Sequence, residues 1–455
     1  MFPKGRYQRM SQQASYQIKT SELVKVVASG WLGTAMEFMD FQLYSLAAAI
    51  VFNEIFFPES DPAMGLIMAM GTYGAGYVAR LVGAFVFGHV GDKMGRRTVL
   101  FVTITLMGLA STLIGFLPTY SEVGIWAPAG LVALRIIQGL GAGAEISGAG
   151  VMVTEFCETK TRGLVGSLVG LGTSSGTLLA NLIWTIILTM LTKEEVLLWG
   201  WRIPFYASFV VMIAAVLIRM FVHESPVMAE KKKLLEAERE RQLAGDVPVE
   251  QQPKKGRKSF IVALALRFGQ AGNSGLMQTY LAGFIVTVLA MEKTVATEAN
   301  ILSSCISFFT IPFVGWLGDK FGRRKMYMFL SLATAIYAVP MMLLFETKDP
   351  VILTIAMVIG LNVGVQGLFA LENVVLTELF GARHRVTMVS LAKEIAGLVA
   401  TGFGPIIAAA AVTAMTGSWV PLAIMTILFS MSSFFGAYFS EDTTGRDLNE
   451  LDDAM

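Results

Sequence analysis

The most informative residues of this 455-residue chain are the few charged side chains that interrupt its long apolar segments. A charge near the centre of a membrane-spanning helix costs about 2.5 to 3.5 kcal/mol, so such residues usually serve a function. The first apolar segment contains Glu37 and Asp40, the second contains Arg80, and the fourth contains Arg135 and Glu145. The helix rise places opposite charges at similar depths, which predicts two buried ion pairs, Asp40 with Arg135 and Arg80 with Glu145.

Asp40 has the chemistry of a proton carrier. A carboxyl group in a partly dry cavity holds its proton more tightly because of desolvation, and it releases the proton when an arginine approaches. We therefore predict that Asp40 carries a proton and that Arg135 holds the ionised form, with Glu37 on the same face of the helix. The alternative is a permanent buried ion pair that only fixes helix packing.

Polar side chains on the first, second, fourth and seventh segments predict a substrate-binding surface. Arginines in a cavity favour a carboxylate substrate, because a guanidinium group can bind a carboxylate through two hydrogen bonds. The predicted substrate-binding residues are Tyr44, Arg80, Gln138, Glu145, Arg267, Gln270, Asn273 and Tyr280. Further inward charges, Glu372, Lys393 and Glu394, could join Arg267 in a second cluster. The alternatives are a structural Arg80–Glu145 pair and, for the seventh segment, polar packing between helices.

These residues require a framework of membrane-spanning helices. The chain is 54% hydrophobic and only 15% charged, whereas about a quarter of the residues are charged in typical soluble proteins. Apolar windows of about 20 residues, enough to cross a bilayer, occur twelve times. The predicted spans are 24–51, 64–90, 98–118, 125–156, 163–191, 200–222, 259–291, 298–317, 325–346, 351–380, 386–414 and 419–439. The sequence thus predicts an all-α polytopic membrane protein.

An internal repeat divides the chain into two related halves. The segment 88–97, Gly-His-Val-Gly-Asp-Lys-Met-Gly-Arg-Arg, returns 227 positions later as 315–324, Gly-Trp-Leu-Gly-Asp-Lys-Phe-Gly-Arg-Arg. A Glu/Arg pair seven residues apart also occurs twice, at 155 and 162 and at 378 and 385. Many secondary transporters consist of two homologous bundles with a substrate site between them. We predict two six-helix bundles related by pseudo-symmetry.

The charged residues of the repeat are candidates for a gate. The carboxylate of Asp92 can accept strong hydrogen bonds from helix N-termini or from arginines, and such bonds can close one side of a carrier and still break. The predicted gating residues are Asp92, Arg96, Arg97, Glu155, Arg162, Asp319, Arg323, Arg324, Glu378 and Arg385. The alternative is that the basic residues only set the topology through the positive-inside rule.

The distribution of lysine and arginine predicts the orientation. Basic residues concentrate near the N-terminus, in the two repeated hairpins and in the middle loop, so both termini and that loop are expected on the cytoplasmic side of the inner membrane. The predicted organisation is an N-terminal tail (1–23), a first bundle (24–222), a linker (223–258), a second bundle (259–439) and a C-terminal tail (440–455).

Several motifs together resemble one transporter family. They are the two hairpins, Glu37-Phe-Met-Asp-Phe41, Arg135-Ile-Ile-Gln-Gly-Leu-Gly-Ala-Gly-Ala-Glu145 and Trp199-Gly-Trp-Arg-Ile-Pro-Phe205. The chain resembles the major facilitator superfamily and, within it, the metabolite:proton symporters of shikimate, proline/betaine and 2-oxoglutarate. The resemblance implies proton-coupled symport of an organic acid or a zwitterionic osmolyte by alternating access. Leu81 and Ala144 depart from the family pattern, which leaves the substrate open.

Other function classes fit the sequence less well. No nucleophile–base arrangement predicts an enzyme, and the two cysteines form no metal or redox motif, so neither a cofactor nor a metal is expected. The expected partners are a small-molecule substrate, protons and the lipid bilayer, without nucleic acid, and the expected state is a monomer. Two alternatives stay open, a proton-independent facilitator or exchanger and a nutrient sensor that binds without transporting.

Overall fold

The computed structural model describes residues 19–58, 62–243 and 256–455, and this part of the chain is helical with short connections. Twelve long helical stretches are present among these residues, and ten of them are long and apolar enough to cross a membrane. The other two, 62–94 and 256–287, are similar in length. Each of the twelve predicted spans coincides with one stretch, which confirms the predicted fold class.

The helices are numbered in chain order. They are α1 (Thr20–Phe52), α2 (Pro62–Met94), α3 (Arg96–Ile114), α4 (Trp126–Phe156), α5 (Arg162–Met190), α6 (Gly200–Met220), α7 (256–287), α8 (Lys293–Phe321), α9 (Arg323–Glu346), α10 (Pro350–Leu379), α11 (Arg385–Ala414) and α12 (Val420–Phe439). The linker helix (Pro226–Leu243) lies between α6 and α7. The basic residues at positions 4, 6, 9, 254 and 255 lie outside the described residues.

The helices form two bundles, α1–α6 and α7–α12. In the first bundle α2 and α3 pack on α4, and α1 packs on α5; in the second, α7 and α9 pack on α12. The bundles meet through α2 with α11 and through α8 with α5, which are pseudo-equivalent pairs. Helices α2 and α4 approach so closely that a side chain at Gly83 would overlap the carbonyl oxygen of Leu140. Small residues allow such close contact between helices in membranes.

Glycine is required at both hairpin turns. Gly95 separates α2 from α3 with a φ angle of 116°, and Gly322 separates α8 from α9 with a φ angle of 92°. Only glycine adopts such angles without steric cost, because it lacks a Cβ atom. The turns place both Arg-Arg pairs at the start of the following helix, on one face of the protein. We call the surface around residues 92–97 and 319–324 the hairpin face.

Candidate functional site

The two hairpin aspartates cap helices of the opposite bundle. Asp92 accepts hydrogen bonds from the backbone N–H groups of Val386 (3.1 Å) and Thr387 (2.9 Å), at the start of α11. Asp319 accepts hydrogen bonds of 2.7 and 2.8 Å from the N–H groups of residues 163–164, at the start of α5. A helix N-terminus carries a partial positive charge, so each contact is charge-assisted. Each therefore joins the two bundles through bonds that can break.

Glu155, at the end of α4, links the two bundles a second time. Its carboxylate lies 2.9 Å from Arg96 of the same bundle and 2.8 Å from Arg385 of the other. The hydroxyl group of Ser225 donates a further hydrogen bond. All three charged side chains are buried, and Glu155 is the carboxylate nearest to both arginines; Asp92 lies 4.0 Å from Arg96.

Glu378, at the end of α10, repeats this arrangement. Its carboxylate lies 2.8 Å from Arg323 of the same bundle and 2.7 Å from Arg162 of the other. Arg323 also contacts the carboxylate of Asp319 at 2.7 Å. The structure therefore brings eight of the ten predicted gating residues into two matched networks at the hairpin face.

Arg97 and Arg324 lie apart from these networks. Arg97 donates to the backbone oxygen of Met220 (3.0 Å), and Arg324 donates to those of Ala437 (3.0 Å) and Tyr438 (2.6 Å). These carbonyl groups end α6 and α12, where a cation is favoured by the helix dipole. The second arginine of each hairpin therefore holds its own bundle together and makes no contact between the bundles.

The linker helix also contacts both bundles, which the sequence did not indicate. Lys231 donates from Nζ to the backbone oxygens of Asp92 (2.7 Å) and Arg383 (2.9 Å), on opposite sides of the interface. Burial lowers the pKa of Lys231 to about 8, against the opposing effect of the Asp92 carboxylate. A single lysine in a basic stretch carries no sequence signal for such a contact.

The C-terminal tail covers the second bundle in a similar way. Arg446 donates to the backbone oxygen of Glu378 at 2.9 Å, and its own carbonyl accepts from Arg162 at 3.0 Å. Arg385 donates to the backbone oxygen of Leu448 at 2.8 Å. Both gating arginines that cross the interface, Arg162 and Arg385, are thus also held by the tail.

The predicted Asp40–Arg135 ion pair is not found among the described residues, so that prediction was wrong. The two oxygens of Asp40 accept hydrogen bonds from the hydroxyl groups of Ser111 (2.5 Å) and Ser208 (2.6 Å). Arg135 instead donates to Gln138, which donates to Ser111 at 2.6 Å. The two charges are therefore connected through two polar side chains. Helix rise fixes the depth of a residue but not the direction in which it points.

Arg135 and Tyr44 belong to an aromatic group beside Asp40. The guanidinium carbon of Arg135 lies 4.1 Å from the ring centre of Tyr44 and 5.1 Å from that of Phe41. The guanidinium carbon of Arg80 lies 5.2 Å from the same Phe41 ring. Phe41 thus separates two cations, and cation–π attraction favours both contacts. Tyr44 itself is fully buried.

The predicted Arg80–Glu145 pair was also wrong. Arg80 lies 2.7 Å from Glu37, and its Nε and Nη2 atoms donate to Glu394 of α11 at 2.8 and 2.9 Å. Glu145 points into the first bundle, where it pairs with Arg219. Helices α1 and α2 of the first bundle thus share one charged group with α11 of the second. We call Glu37, Arg80 and Glu394 the negative triad.

A second charged group lies in the other bundle. Glu372 of α10 lies 3.2 Å from Arg267 of α7 and 3.2 Å from Lys393 of α11. Arg267 also donates to the side chain of Gln270 at 2.6 Å. We call Arg267, Glu372 and Lys393 the positive triad. The structure confirms three members of the predicted second cluster and places Glu394 in the negative triad instead.

The remaining predicted substrate residues of α7 point in different directions. Asn273 is fully buried and donates to the hydroxyl group of Ser430 at 2.9 Å, so it packs α7 against α12. Gln270 donates to the backbone oxygen of Val365 in α10 at 3.3 Å. Tyr280 packs near Phe284, with 6.5 Å between ring centres. Of these three, Gln270 lies next to a charged triad.

A small cavity in the first bundle opens beside the negative triad. Acidic, basic and aromatic side chains line it. The described part of the chain contains no group of His, Cys, Asp and Glu side chains that could hold a metal ion. The residues that line the cavity are Glu37, Asp40, Phe41, Gly76, Arg80, Met107, Arg135, Gln138, Gly139 and Ala142. The side-chain hydrogen bonds between the bundles extend from the hairpin face to the pair Ser174 and Ser307, in the middle of α5 and α8. The bundles are therefore closed against each other on the hairpin side of the cavity.

Comparison with known proteins agrees with this geometry. A family model described as Major Facilitator Superfamily matches residues 30–405. YdfJ of Escherichia coli (strain K12) is 51% identical over 418 residues, 91% of this chain and 96% of that protein. The shikimate transporter of the same strain is 31% identical over 426 residues, 94% of this chain and 96% of that protein.

A solved structure shares the fold. The proton:xylose symporter XylE bound to 6-bromo-6-deoxy-D-glucose matches with a TM-score of 0.78 and 17% identity, and the match covers 95% of this chain and 98% of that one.

Proposed function

This chain belongs to the major facilitator superfamily and is a multi-pass membrane transporter rather than an enzyme, and we propose that it moves a small carboxylate-bearing metabolite together with a proton. One observation supports this proposal most directly. Buried acidic and basic side chains surround the interface of two bundles, and on one side the bundles are joined by hydrogen bonds and ion pairs that can break. Such an arrangement suits alternating access, in which one side closes while the other opens.

The substrate class follows from the charges near the interface and from the relatives. Arg267 is partly exposed and basic, and guanidinium groups suit carboxylates. The name of one relative specifies shikimate, a monocarboxylate with hydroxyl groups. We propose a cargo of this kind for the present chain. Glycine betaine and proline are the zwitterionic alternative that the family resemblance implies.

The proposed location is the cytoplasmic membrane, with the hairpin face inside the cell. The hairpins and the linker helix are rich in lysine and arginine, and short loops with such residues remain cytoplasmic. In this orientation the described conformation is closed towards the cytoplasm. Substrate and proton would enter from outside, and the proposed working unit is the monomer.

The proposal is tested in two steps. A thermal-shift screen of the purified protein with shikimate, other carboxylates, proline and glycine betaine identifies a cargo, because a ligand stabilises the folded state that binds it. Uptake of that cargo into proteoliposomes is then measured with and without an inward proton gradient. We expect accumulation above equilibrium only with the gradient. Uptake that does not depend on the proton gradient identifies a facilitator or exchanger, and binding without uptake identifies a sensor.

A further inference from the structure

The negative triad has one more acidic than basic group. Two carboxylates, Glu37 and Glu394, share the single guanidinium of Arg80, so the ionised triad carries one net negative charge. All three side chains are nearly inaccessible. Glu394 receives two of the three bonds, while Oε2 of Glu37 accepts no hydrogen bond from any described residue. An unpaired, buried carboxylate oxygen that faces a cavity is a site where a proton can bind.

The positive triad has the opposite imbalance. Two cations, Arg267 and Lys393, share the carboxylate of Glu372, so the ionised triad carries one net positive charge. The contacts of Arg267 with Glu372 and Gln270 all come from Nη1, and its Nε donates to no described residue. Gly397, whose added Cβ would lie 4.0 Å from Nη2, leaves space there. The Nε–Nη2 edge of an arginine can bind a carboxylate through two hydrogen bonds, as that of Arg80 binds Glu394.

The charges of the ionisable groups next to the triads cancel in pairs. These groups are Asp40, Tyr77, Arg135, Glu145 and Arg219. Asp40 is offset by Arg135, and Glu145 by Arg219, while Tyr77 is neutral. The two triads therefore balance each other through α11, where Lys393 and Glu394 are neighbours. With nothing bound, the charges of the two triads sum to zero.

We propose, on the basis of the proton-coupled transport proposed above, that the two triads are separate sites for the two transported species. Oε2 of Glu37 takes the proton, and the Nε–Nη2 edge of Arg267 takes the carboxylate of a singly charged anion. The interface is then neutral when it is empty and when it holds one of each. Either ligand alone leaves a buried net charge, which is costly in a medium of low polarity. The transport is therefore electroneutral, with one proton for each monocarboxylate.

Opening of the hairpin face releases both ligands. It separates α2 from α11, which are joined by Asp92 and by the Arg80–Glu394 pair. Arg80 then pairs with Glu37 alone, and because this pairing favours the ionised carboxylate, Glu37 loses its proton. Glu394, left with the second bundle, neutralises the positive triad and weakens the hold of Arg267 on the anion. One movement thus removes the affinity for both species.

The proton site is tested without any cargo by infrared difference spectroscopy between acidic and alkaline pH, which detects the carbonyl band of a protonated carboxyl group. We expect a titrating band in the wild type and in Asp40→Asn, and no such band in Glu37→Gln or Glu394→Gln. A wild type without the band, or a band that survives in Glu37→Gln, overturns the proposal. Each variant is first checked for a normal elution volume and unfolding transition.

The cargo site and the stoichiometry are tested in proteoliposomes with shikimate as the anionic probe and glycine betaine as the zwitterionic one. With the proton gradient fixed, we expect shikimate uptake to change less than about twofold between zero and about −100 mV. Arg267→Lys should raise the half-saturating shikimate concentration by about tenfold, because lysine lacks the two-donor edge. Arg202→Lys is the control, because it alters an arginine outside both triads that donates to the backbone oxygens of Gly115 and Leu117.

The outcomes separate the two proposals. Potential-driven uptake of shikimate, or proton-driven uptake of betaine but not of shikimate, contradicts the electroneutral anion site while proton coupling stands. The absence of any proton-driven uptake contradicts the proposed function, and the infrared band still decides whether Glu37 and Glu394 hold a proton.

Discussion

The hairpin face and the centre of the interface differ in symmetry. At the hairpin face the four acidic residues form two equivalent pairs: Asp92 corresponds to Asp319, and Glu155 to Glu378. At the centre one triad is negative and the other is positive; α11 contributes to both, and their other helices are α1 and α2 for the negative triad and α7 and α10 for the positive one. When one side of a carrier closes, the two bundles form equivalent contacts, so a duplicated network can hold that side closed. The proposed binding of a proton and an anion requires two unlike sites, and the two triads differ in this way.

The largest effect is expected from the two glutamates at the hairpin face. Glu155→Gln removes the carboxylate shared by the buried Arg96 and Arg385, and Glu378→Gln removes the one shared by Arg162 and Arg323. Breaking a buried ion pair costs about 3 to 5 kcal/mol. We expect both variants to favour the open hairpin face to a similar extent. The readout is the distance between spin labels at the exposed positions Met94 and Phe321, in a background without the two native cysteines.

The control for this pair is Glu54→Gln. Glu54 forms an exposed ion pair with Lys193, and such pairs contribute about 0 to 1 kcal/mol. Opening in only one of the two glutamate variants would contradict the symmetry of the hairpin face.

A smaller and one-sided effect is expected at the centre. Arg267→Gln removes a charged hydrogen-bond donor to the proposed anion, worth about 1.5 to 3 kcal/mol, or roughly a 10- to 100-fold loss of shikimate affinity. Arg80→Gln should leave that affinity nearly unchanged and abolish proton-driven accumulation, because Arg80 is already occupied by two carboxylates. Isothermal titration calorimetry measures the shikimate affinity of each variant, and gradient-driven uptake measures its proton-driven accumulation. Equal loss of affinity in both variants would show that the two triads are not separate sites.

Asp92→Asn and Asp319→Asn are the milder test of the hairpin face. Asparagine keeps one acceptor oxygen and loses the charge, so each substitution should weaken its helix cap by about 1 kcal/mol. The same label distances should show a small and similar increase of the open state in both variants. A large effect of Asp92→Asn alone would indicate that its contact with Lys231 matters more than the cap.

The smallest effect is expected from Lys231, which has no counterpart in the second bundle. Its pKa is lowered by burial to about 8, whereas an unfolded lysine has a pKa of about 10.4. Between these values the unfolded chain binds more protons, so this residue adds stability as the pH rises from 8 to 10. The unfolding midpoint of the wild type minus that of Lys231→Met should therefore increase over this range. A constant difference would contradict the buried contact.

Several features of the site followed from sequence alone. The 227-residue repeat identified Asp92 and Asp319 as equivalent, and the structure places both on helix N-termini. The spacing of Glu155 and Arg162 also indicated a repeated pair, yet in the structure Arg162 bonds to Glu378 of the other bundle. The ends of α4 and α5 face across the interface, and sequence separation does not show this. The contacts of Lys231 and Arg446 had no sequence signal.

What the sequence by itself determined is one-dimensional: which segments are apolar enough to cross a membrane, that the chain is duplicated, and how deep each charge lies. Hydropathy and helix rise are properties of contiguous residues, so they can be obtained without the fold. Only the tertiary structure decided which charges meet. Arg80 and Glu394 are 314 residues apart, and their contact depends on how α2 and α11 are rotated and packed. Rotation about the helix axis is set by all neighbouring helices together, which is why helix rise did not predict the partners of Asp40 and Arg80.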